Sequence, residues 1–475
     1  MSTLLKPDVC VIGGGSGGLT VAAACAAFGV PVVLIERGKM GGDCLNYGCV
    51  PSKAMIAAGK IAQSMRQASA FGISDVEPEV DFRKVHKHIR SVIDAIAPND
   101  SVERFTALGV RVIQDEAKFV NRRTVRAGEF EIRARRFVVA TGSSPLVPPI
   151  PGLEDVGYFT NETVFEQTRK PAHLIVIGGG PIGMEMAQAH RRLGSDVTVV
   201  EALTALGKDD PELAAIALRR LRGEGIVIHE GTRVVKAEKR GRSGVRVHVE
   251  SKSGATHIDG SHILVAAGRS ANVSDLGLDD AGIAYERRGI KVSDKLRTTN
   301  RRVYAIGDVA GGLQFTHVAG YHGGLVVRAL LFRLPARENR SIIPWATYTD
   351  PELAQVGMTE ADAVSEGGEL SVLRWPYAEN DRAQAERKTG GFIKVIAGKR
   401  GRILGAGIVG ANAGEMINIW ALAISKGLTL RDMTAYVPPY PTMTEIGKRA
   451  AITYFASATR KPSVRRLVRF LRRFG

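Results

Sequence analysis

Residues 8–18 read DVCVIGGGSGG and residues 173–183 read HLIVIGGGPIG, one pattern written twice. Each is an apolar run that passes straight into G-x-G-x-x-G: Gly13, Gly15 and Gly18 in the first copy, Gly178, Gly180 and Gly183 in the second. Small-residue stretches follow, LTVAAACAAFG and MEMAQAHRRLG, and then second buried runs, VPVVLIE and SDVTVVE. A glutamate closes each unit, Glu36 and Glu201, in both cases 23 residues after the first glycine. A lone G-x-G-x-x-G says little. Strand, glycines, helix, strand and terminal acid at matched spacing, twice over, predict two Rossmann-like units.

The physics of the unit is simple. The first glycine permits a tight turn, the second lets a pyrophosphate approach the backbone, and the third lets helix and strand pack closely. Free N–H groups and the positive dipole end of the helix face the phosphates. The closing glutamate accepts hydrogen bonds from a ribose hydroxyl. Two such sites imply two dinucleotides, and electrons passing between them.

Between the copies lies GGDCLNYGCVPSK at 41–53, with Cys44, 26 residues after Gly18, and Cys49. A structural zinc site needs four N or S ligands, and no second close cysteine pair supplies them, so no metal site is expected. A structural staple is not needed by 475 residues with only four cysteines, Cys10, Cys25, Cys44 and Cys49. The pair therefore reads as a redox dithiol that meets the tightly held cofactor of the first unit. The second unit then takes a nicotinamide. Glu201 would repel a 2′-phosphate and no arginine follows it in ALTALGK, which favours NADH over NADPH. A helix beginning at about Pro51 would set its positive end near the thiols and favour a thiolate.

The remaining composition agrees. At 44% hydrophobic and 24% charged residues, with 54 glycines, the chain reads as globular, with room for about three domains. The start MSTLLKPDVCVIGGG lacks the form of a secretory signal, and low cysteine use points to the cytoplasm. No apolar stretch is long enough to predict a membrane span. The net charge of +17 is uneven. Arg460, Lys461, Arg465, Arg466, Arg469, Arg472 and Arg473 gather in the last residues, with no acid among them. Val464, Leu467, Val468 and Leu471 fall at i, i+3, i+4, i+7 there. This predicts a basic amphipathic helix. It either lies peripherally on an anionic membrane surface or an acidic partner, or packs its apolar stripe on a dimer. Nucleic acid is disfavoured, because no basic platform interleaved with aromatics accompanies the charge.

The chain resembles the class I pyridine nucleotide-disulfide oxidoreductases, the family of dihydrolipoamide dehydrogenase, glutathione reductase and mercuric reductase. Besides the cysteine motif, the likeness rests on FVVATGSSP (137–145), LVAAGRSAN (264–272), TTNRRVYAIGDVA (298–310), YTDPELAQVGMTE (348–360) and PPYPTMTE (438–445). The resemblance implies an α/β fold, with two Rossmann-like dinucleotide-binding domains and a C-terminal α+β dimerisation domain. The expected boundaries are 1–150 with 272–340 for FAD, 151–271 for NAD(P), and 341–475 for the interface of a homodimer.

It also implies roles. FAD would be held by Gly13, Gly15, Gly18 and Glu36, with Gly42, the Ala117 backbone, Thr141, Gly142 and Asp308. NADH would dock on Gly178, Gly180, Gly183 and Glu201, with Gly268 nearby. Hydride would pass to the flavin and electrons onward to the Cys44–Cys49 disulfide. Cys49 would be the flavin-proximal thiolate and Cys44 the interchange thiol. Lys53 and Glu185 match positions that pair beside the flavin ring. Other histidines, such as His86, His88 and His317, read as surface or packing residues.

One position departs from the family. Disulfide reductases carry a histidine–glutamate pair near the C-terminus, donated across the dimer. Here Tyr440 stands in the histidine's place before Glu445, and the last histidine in the chain is His322. Histidine, with a pKa near 6.5, both takes and gives a proton near neutrality, whereas tyrosine near 10 stays protonated. Tyrosine there resembles mercuric reductase, yet the tail lacks the cysteine pair and the chain lacks the N-terminal metal-binding module of those enzymes. Three readings follow: an NADH-dependent reductase of a small or protein-bound disulfide; a metal-ion or quinone reductase that needs no histidine base; and a flavoprotein acting mainly as a binding or assembly partner. The intact dithiol, Lys53 and Glu185 speak against the third.

Overall fold

The computed structural model describes residues 3–242, 244–456 and 461–474. Its fold is α/β. The chain divides into two units, Met1–Ala202 with Gly231–Glu338, and Leu203–Glu230 with Asn339–Gly475.

The first unit is built on both glycine-rich copies. Strand Val9–Ile12 runs fully buried through the middle of a five-stranded parallel sheet, flanked by Val32–Ile35 and Arg136–Val139. Arg111–Ile113 and Val303–Ala305 complete the two edges. Buried on both faces, these strands read as unbroken apolar runs rather than alternating ones. Helix Ser16–Ala27 makes the crossover, and its glycines let helix Thr316–Leu331 come close. A Cβ on Gly323 would already lie 3.0 Å from Thr20.

The second copy repeats the arrangement. Strand His173–Ile177 lies between Asp196–Val200 and His262–Val265, all parallel, with helix Pro181–Arg192 as the crossover. An antiparallel three-stranded sheet, Arg233–Arg240, Gly244–Ser251 and Gly254–Gly260, interrupts it before the last strand. Helix Cys49–Arg66 lies against helix Pro181–Arg192, where Gly59 allows close approach to Ala189 and Arg192. That contact ties the dithiol helix to the second copy within one unit.

The second unit is α+β. Its antiparallel sheet runs in the order Pro344–Thr347, Glu352–Gly357, Ile403–Gly410, Phe392–Ala397, Ser371–Pro376. Helices Ala413–Ser425 and Glu445–Thr453 bury Trp420, Met416 and Ile446 in its core. Helix Pro211–Gly223 packs in this unit too: a Cβ on Gly407 would meet Leu213 at 2.4 Å. Lys394, 3% exposed, ties that helix down, 2.8 Å from buried Asp210 and 3.0 Å from Glu212. Arg374 shares the Glu212 carboxylate. Removing one partner of so buried a pair costs about 3–5 kcal/mol, because the other charge is left without compensation.

Candidate active site

Gly41 and Gly42, both at positive φ, turn the chain into the short helix Gly42–Asn46 that carries Cys44. Helix Cys49–Arg66 then opens on Cys49 itself, two residues earlier than the sequence suggested. The second thiol therefore sits in the first turn, where unpaired N–H groups and the dipole favour an anion.

The two sulfurs are unequal. Both are free thiols, Cys44 half-buried and Cys49 exposed. The Cys44 thiol hydrogen-bonds to Cys49, and this is the largest cause that pulls Cys49 down to about 6. The Thr316 hydroxyl, 3.3 Å from its sulfur, and the Lys53 cation add to that pull, against the cost of burial. The same hydrogen bond, together with burial, pushes Cys44 well above the usual thiol range. At neutral pH the pair is thus a Cys49 thiolate beside a Cys44 thiol.

One turn after Cys49, Lys53 Nζ lies 2.7 Å from Glu185 Oε2, and Glu185 is buried on helix Pro181–Arg192. The structure brings these four residues together, which the sequence had singled out as two pairs, Cys44 with Cys49 and Lys53 with Glu185. A polar network lies around Asp43. Asn161 donates to its carboxylate, and Arg269 lies 3.3 Å away. Arg269 also donates to the Ser143 hydroxyl and carbonyl, while Ser143 donates to Asp308 at 2.6 Å. Burial pushes the Asp308 carboxyl up, opposed by Ser143 and Arg269.

Each glycine-rich loop shows which glycines its own packing requires. A Cβ on Gly18 would lie 1.9 Å from the Gly13 carbonyl, and one on Gly183 would lie 2.0 Å from the Gly178 carbonyl. Gly13 and Gly178 hold φ of 109° and 113°, with Ala140 and Ala266 carbonyls 2.3 Å from any added Cβ. The middle glycines differ. A Cβ on Gly15 would meet nothing nearer than Gly42 Cα at 3.9 Å, and one on Gly180 would meet nothing within 4 Å. Both cap helices that have no side-chain cap. The chain does not itself require glycine there; a phosphate drawn up to the backbone does. Two dinucleotides fit the residues present.

Glu36 accepts from Gly14 N–H at 2.5 Å and Gly38 N–H at 2.6 Å, and Glu201 accepts from Gly179 N–H at 2.6 Å. The closing acids thus brace the loops, with lone pairs to spare for a ribose. Thr141 donates to the Asn272 carbonyl, and Gly142 at φ 69° and Gly268 at φ 129° mark tight turns. Ala117, itself buried, opens the strand Ala117–Asn121, and Gly42 comes against Gly15.

Tyr440 and Glu445 lie in the second unit. Tyr440 is 71% exposed and donates to Asp381 at 2.8 Å, which holds its phenol above the ordinary tyrosine value. Glu445 opens a helix and accepts weakly from Thr442 N–H at 3.3 Å. His86 pairs with Glu166, His88 bonds the Ala54 carbonyl, and His317 stacks on Phe315.

Sequence reasoning did not find Thr316, 267 residues from Cys49, or Asp43, Ser143 and Arg269 as a network. Arg269 and Ser143 lay inside stretches already quoted, but nothing local shows that they meet. Arg460 and Gly475 of the basic tail lie outside the described residues. Among the described residues no group of three or more His, Cys, Asp or Glu is placed to hold a metal ion, and no helix is long and apolar enough to cross a membrane.

Residues 7–323 match the pyridine nucleotide-disulphide oxidoreductase family, and residues 343–451 match the dimerisation domain of that family. The chain belongs to it. A mercuric reductase of Bacillus cereus is 36% identical over 94% of this chain and 71% of its own length. A dihydrolipoyl dehydrogenase of Bacillus subtilis is 35% identical over 94% and 96%. Among solved structures, the HOCl-induced flavoprotein disulfide reductase RclA of Escherichia coli superposes with a TM-score of 0.83 at 29% identity, covering 94% of this chain and 99% of that one. LpdA of Mycobacterium tuberculosis gives 0.87 at 25%, with the same coverage. The protein is an FAD-dependent oxidoreductase that uses a pyridine nucleotide, and its dimerisation domain fits a homodimer.

Proposed function

We propose that this enzyme takes electrons from NADH and delivers them through the Cys44–Cys49 pair to a disulfide substrate, in the manner of a dihydrolipoamide dehydrogenase. The unequal thiols carry the reading: one sulfur is held as a thiolate and its neighbour, across four intervening residues, as a protonated thiol, beside an ion pair that joins two helices. FAD, held by Gly13, Gly15, Gly18, Glu36, Gly42, Ala117, Thr141, Gly142 and Asp308, supplies the step between a two-electron hydride donor and a disulfide. NADH is held by Gly178, Gly180, Gly183, Glu201 and Gly268. Lys53, kept in place by Glu185, supplies positive charge beside the dithiol.

On the substrate side, Cys44 sulfur attacks one sulfur of the substrate disulfide. A mixed disulfide forms, and one substrate thiolate leaves. The Cys44 proton has an acceptor in the Cys49 thiolate. Once that proton is lost again, Cys49 attacks Cys44 sulfur, the second substrate thiol leaves, and the Cys44–Cys49 disulfide is restored. The substrate gains two electrons and two protons; the dithiol, with one sulfur already a thiolate, loses two electrons and one proton, and water supplies the second proton.

Tyr440 supports a second reading. Its phenol, held protonated by Asp381, can give a proton but does not take one near neutrality. A soft metal ion bound by two thiolates makes no such demand, so a mercuric-reductase-like metal-ion reductase, or a quinone reductase, follows if disulfide exchange is slow.

Steady-state NADH oxidation by the FAD-loaded enzyme, with lipoamide as acceptor between pH 6 and 9, separates them. Turnover that rises with pH and disappears in Cys44→Ser supports the disulfide reading. Turnover no faster than Cys44→Ser at every pH removes it, and Hg(II) or a quinone becomes the acceptor to assay.

A further inference from the structure

Helix Pro462–Leu471 buries none of its residues. At 100° per residue, continued through Arg472, Arg473 and Phe474 just past its end, the side chains sort into two arcs. Val464, Leu467, Val468, Phe470, Leu471 and Phe474 fill one arc of about 160°. Arg465, Arg466, Arg469, Arg472 and Arg473 fill an arc of about 120° opposite, and no acidic residue occurs between 461 and 474. Leu467, Val468, Phe470 and Leu471 are each at least half exposed, and Phe474 is 75% exposed. Phe470 and Phe474 stand edge to face at 5.1 Å, forming one apolar knob.

We propose that this helix is a membrane-surface anchor that lies flat on anionic phospholipid. Charge and apolarity have to be satisfied on opposite sides of one helix. An acidic protein surface would neutralise the arginines and leave the aromatic arc in water. A second copy of the chain would cover the apolar arc but leave both basic arcs without counter-charge, on a chain already at +17. A bilayer interface takes both. The apolar arc enters the boundary between headgroups and acyl chains, and the flanking arginines meet lipid phosphates. Arginine suits that contact, because its guanidinium pairs with phosphate through two N–H groups. Ten residues make a rod of about 15 Å, long enough to lie on a leaflet, and no described helix crosses one.

Flotation of the full-length, FAD-loaded enzyme with phosphatidylcholine vesicles, with and without 30 mol% phosphatidylglycerol, tests this at low and high salt. The anchor predicts flotation only with the anionic vesicles, released by salt. The doubly substituted Leu467→Asp/Phe470→Asp enzyme should bind at least about tenfold more weakly, and each of Arg466→Gln and Arg469→Gln about fivefold more weakly. These positions are exposed, and unchanged FAD content shows that the variants fold. Three results overturn the proposal: no flotation, equal flotation with neutral vesicles, or undiminished flotation of the doubly substituted enzyme. The third means that the basic body adsorbs without the helix; alongside the first, a truncation at 460 that changes the enzyme's sedimentation means that the tail packs on the partner subunit.

Discussion

Cys49 owes its ionisation to its own helix terminus, Cys44 and Lys53, all close by in sequence, and to Thr316 from a distant segment. Below about pH 6 it is a thiol, and above that value a thiolate, while Cys44 stays protonated throughout the neutral range. Following the thiolate absorbance of the reduced enzyme against pH should therefore show one thiol ionising near 6. Thr316→Val, which removes a hydroxyl donor and keeps the shape, should raise that midpoint by about one unit, the worth of a hydrogen bond to a charged group. An unchanged midpoint would mean that Thr316 only packs there. The dithiol, Lys53 and Glu185 were legible from short motifs, because each motif carries its chemistry within a few residues. Thr316 was not, since the only link between it and Cys49 is the fold.

At the scale of elements, the paired glycine loops make a sharper distinction than their sequences do. All six glycines look alike in G-x-G-x-x-G, yet only the outer ones are fixed by the protein's own backbone. Gly18→Ala drives a methyl group into the Gly13 carbonyl, so this variant should lose both fold stability and FAD. Gly15→Ala meets no such obstacle. It should fold with an unaltered thermal midpoint as apoprotein but bind FAD at least about tenfold more weakly, read by FAD fluorescence titration. Gly180→Ala should keep its FAD and raise the KM for NADH. If Gly15→Ala binds FAD normally, the phosphate does not approach that backbone. The strands and crossover helices around these loops follow from apolar runs and glycines alone. The packing of helix Pro211–Gly223 against the antiparallel sheet did not, because it depends on Leu213 fitting over Gly407 and on a buried lysine whose partners are far away in sequence.

For the whole molecule, the decisive relation is between two chains. If Tyr440 and Glu445 serve the partner's dithiol, one active site draws on both subunits. Tyr440→His should then raise lipoamide turnover near pH 7 by about a hundredfold, the usual worth of a positioned base. A hybrid dimer can locate that gain. In a dimer of a Cys44→Ser chain with a Tyr440→His chain, the only complete dithiol faces the native Tyr440 of the other subunit. Such a hybrid should keep the slow, alkaline-rising profile of the native enzyme. The fast profile in the hybrid would place the histidine beside the dithiol of its own chain. Of the net charge of +17, seven cations lie between Arg460 and Arg473, and the rest is spread over the body of the chain.

The central claim is that NADH electrons arrive on Cys44 and Cys49. Counting reactive thiols in the oxidised, FAD-loaded enzyme before and after anaerobic addition of one equivalent of NADH tests it most directly. Two further thiols per chain should appear, both at Cys44 and Cys49 by alkylation mapping, and none in Cys44→Ser. An unchanged count with full consumption of NADH would leave the electrons on the flavin and contradict the dithiol's role.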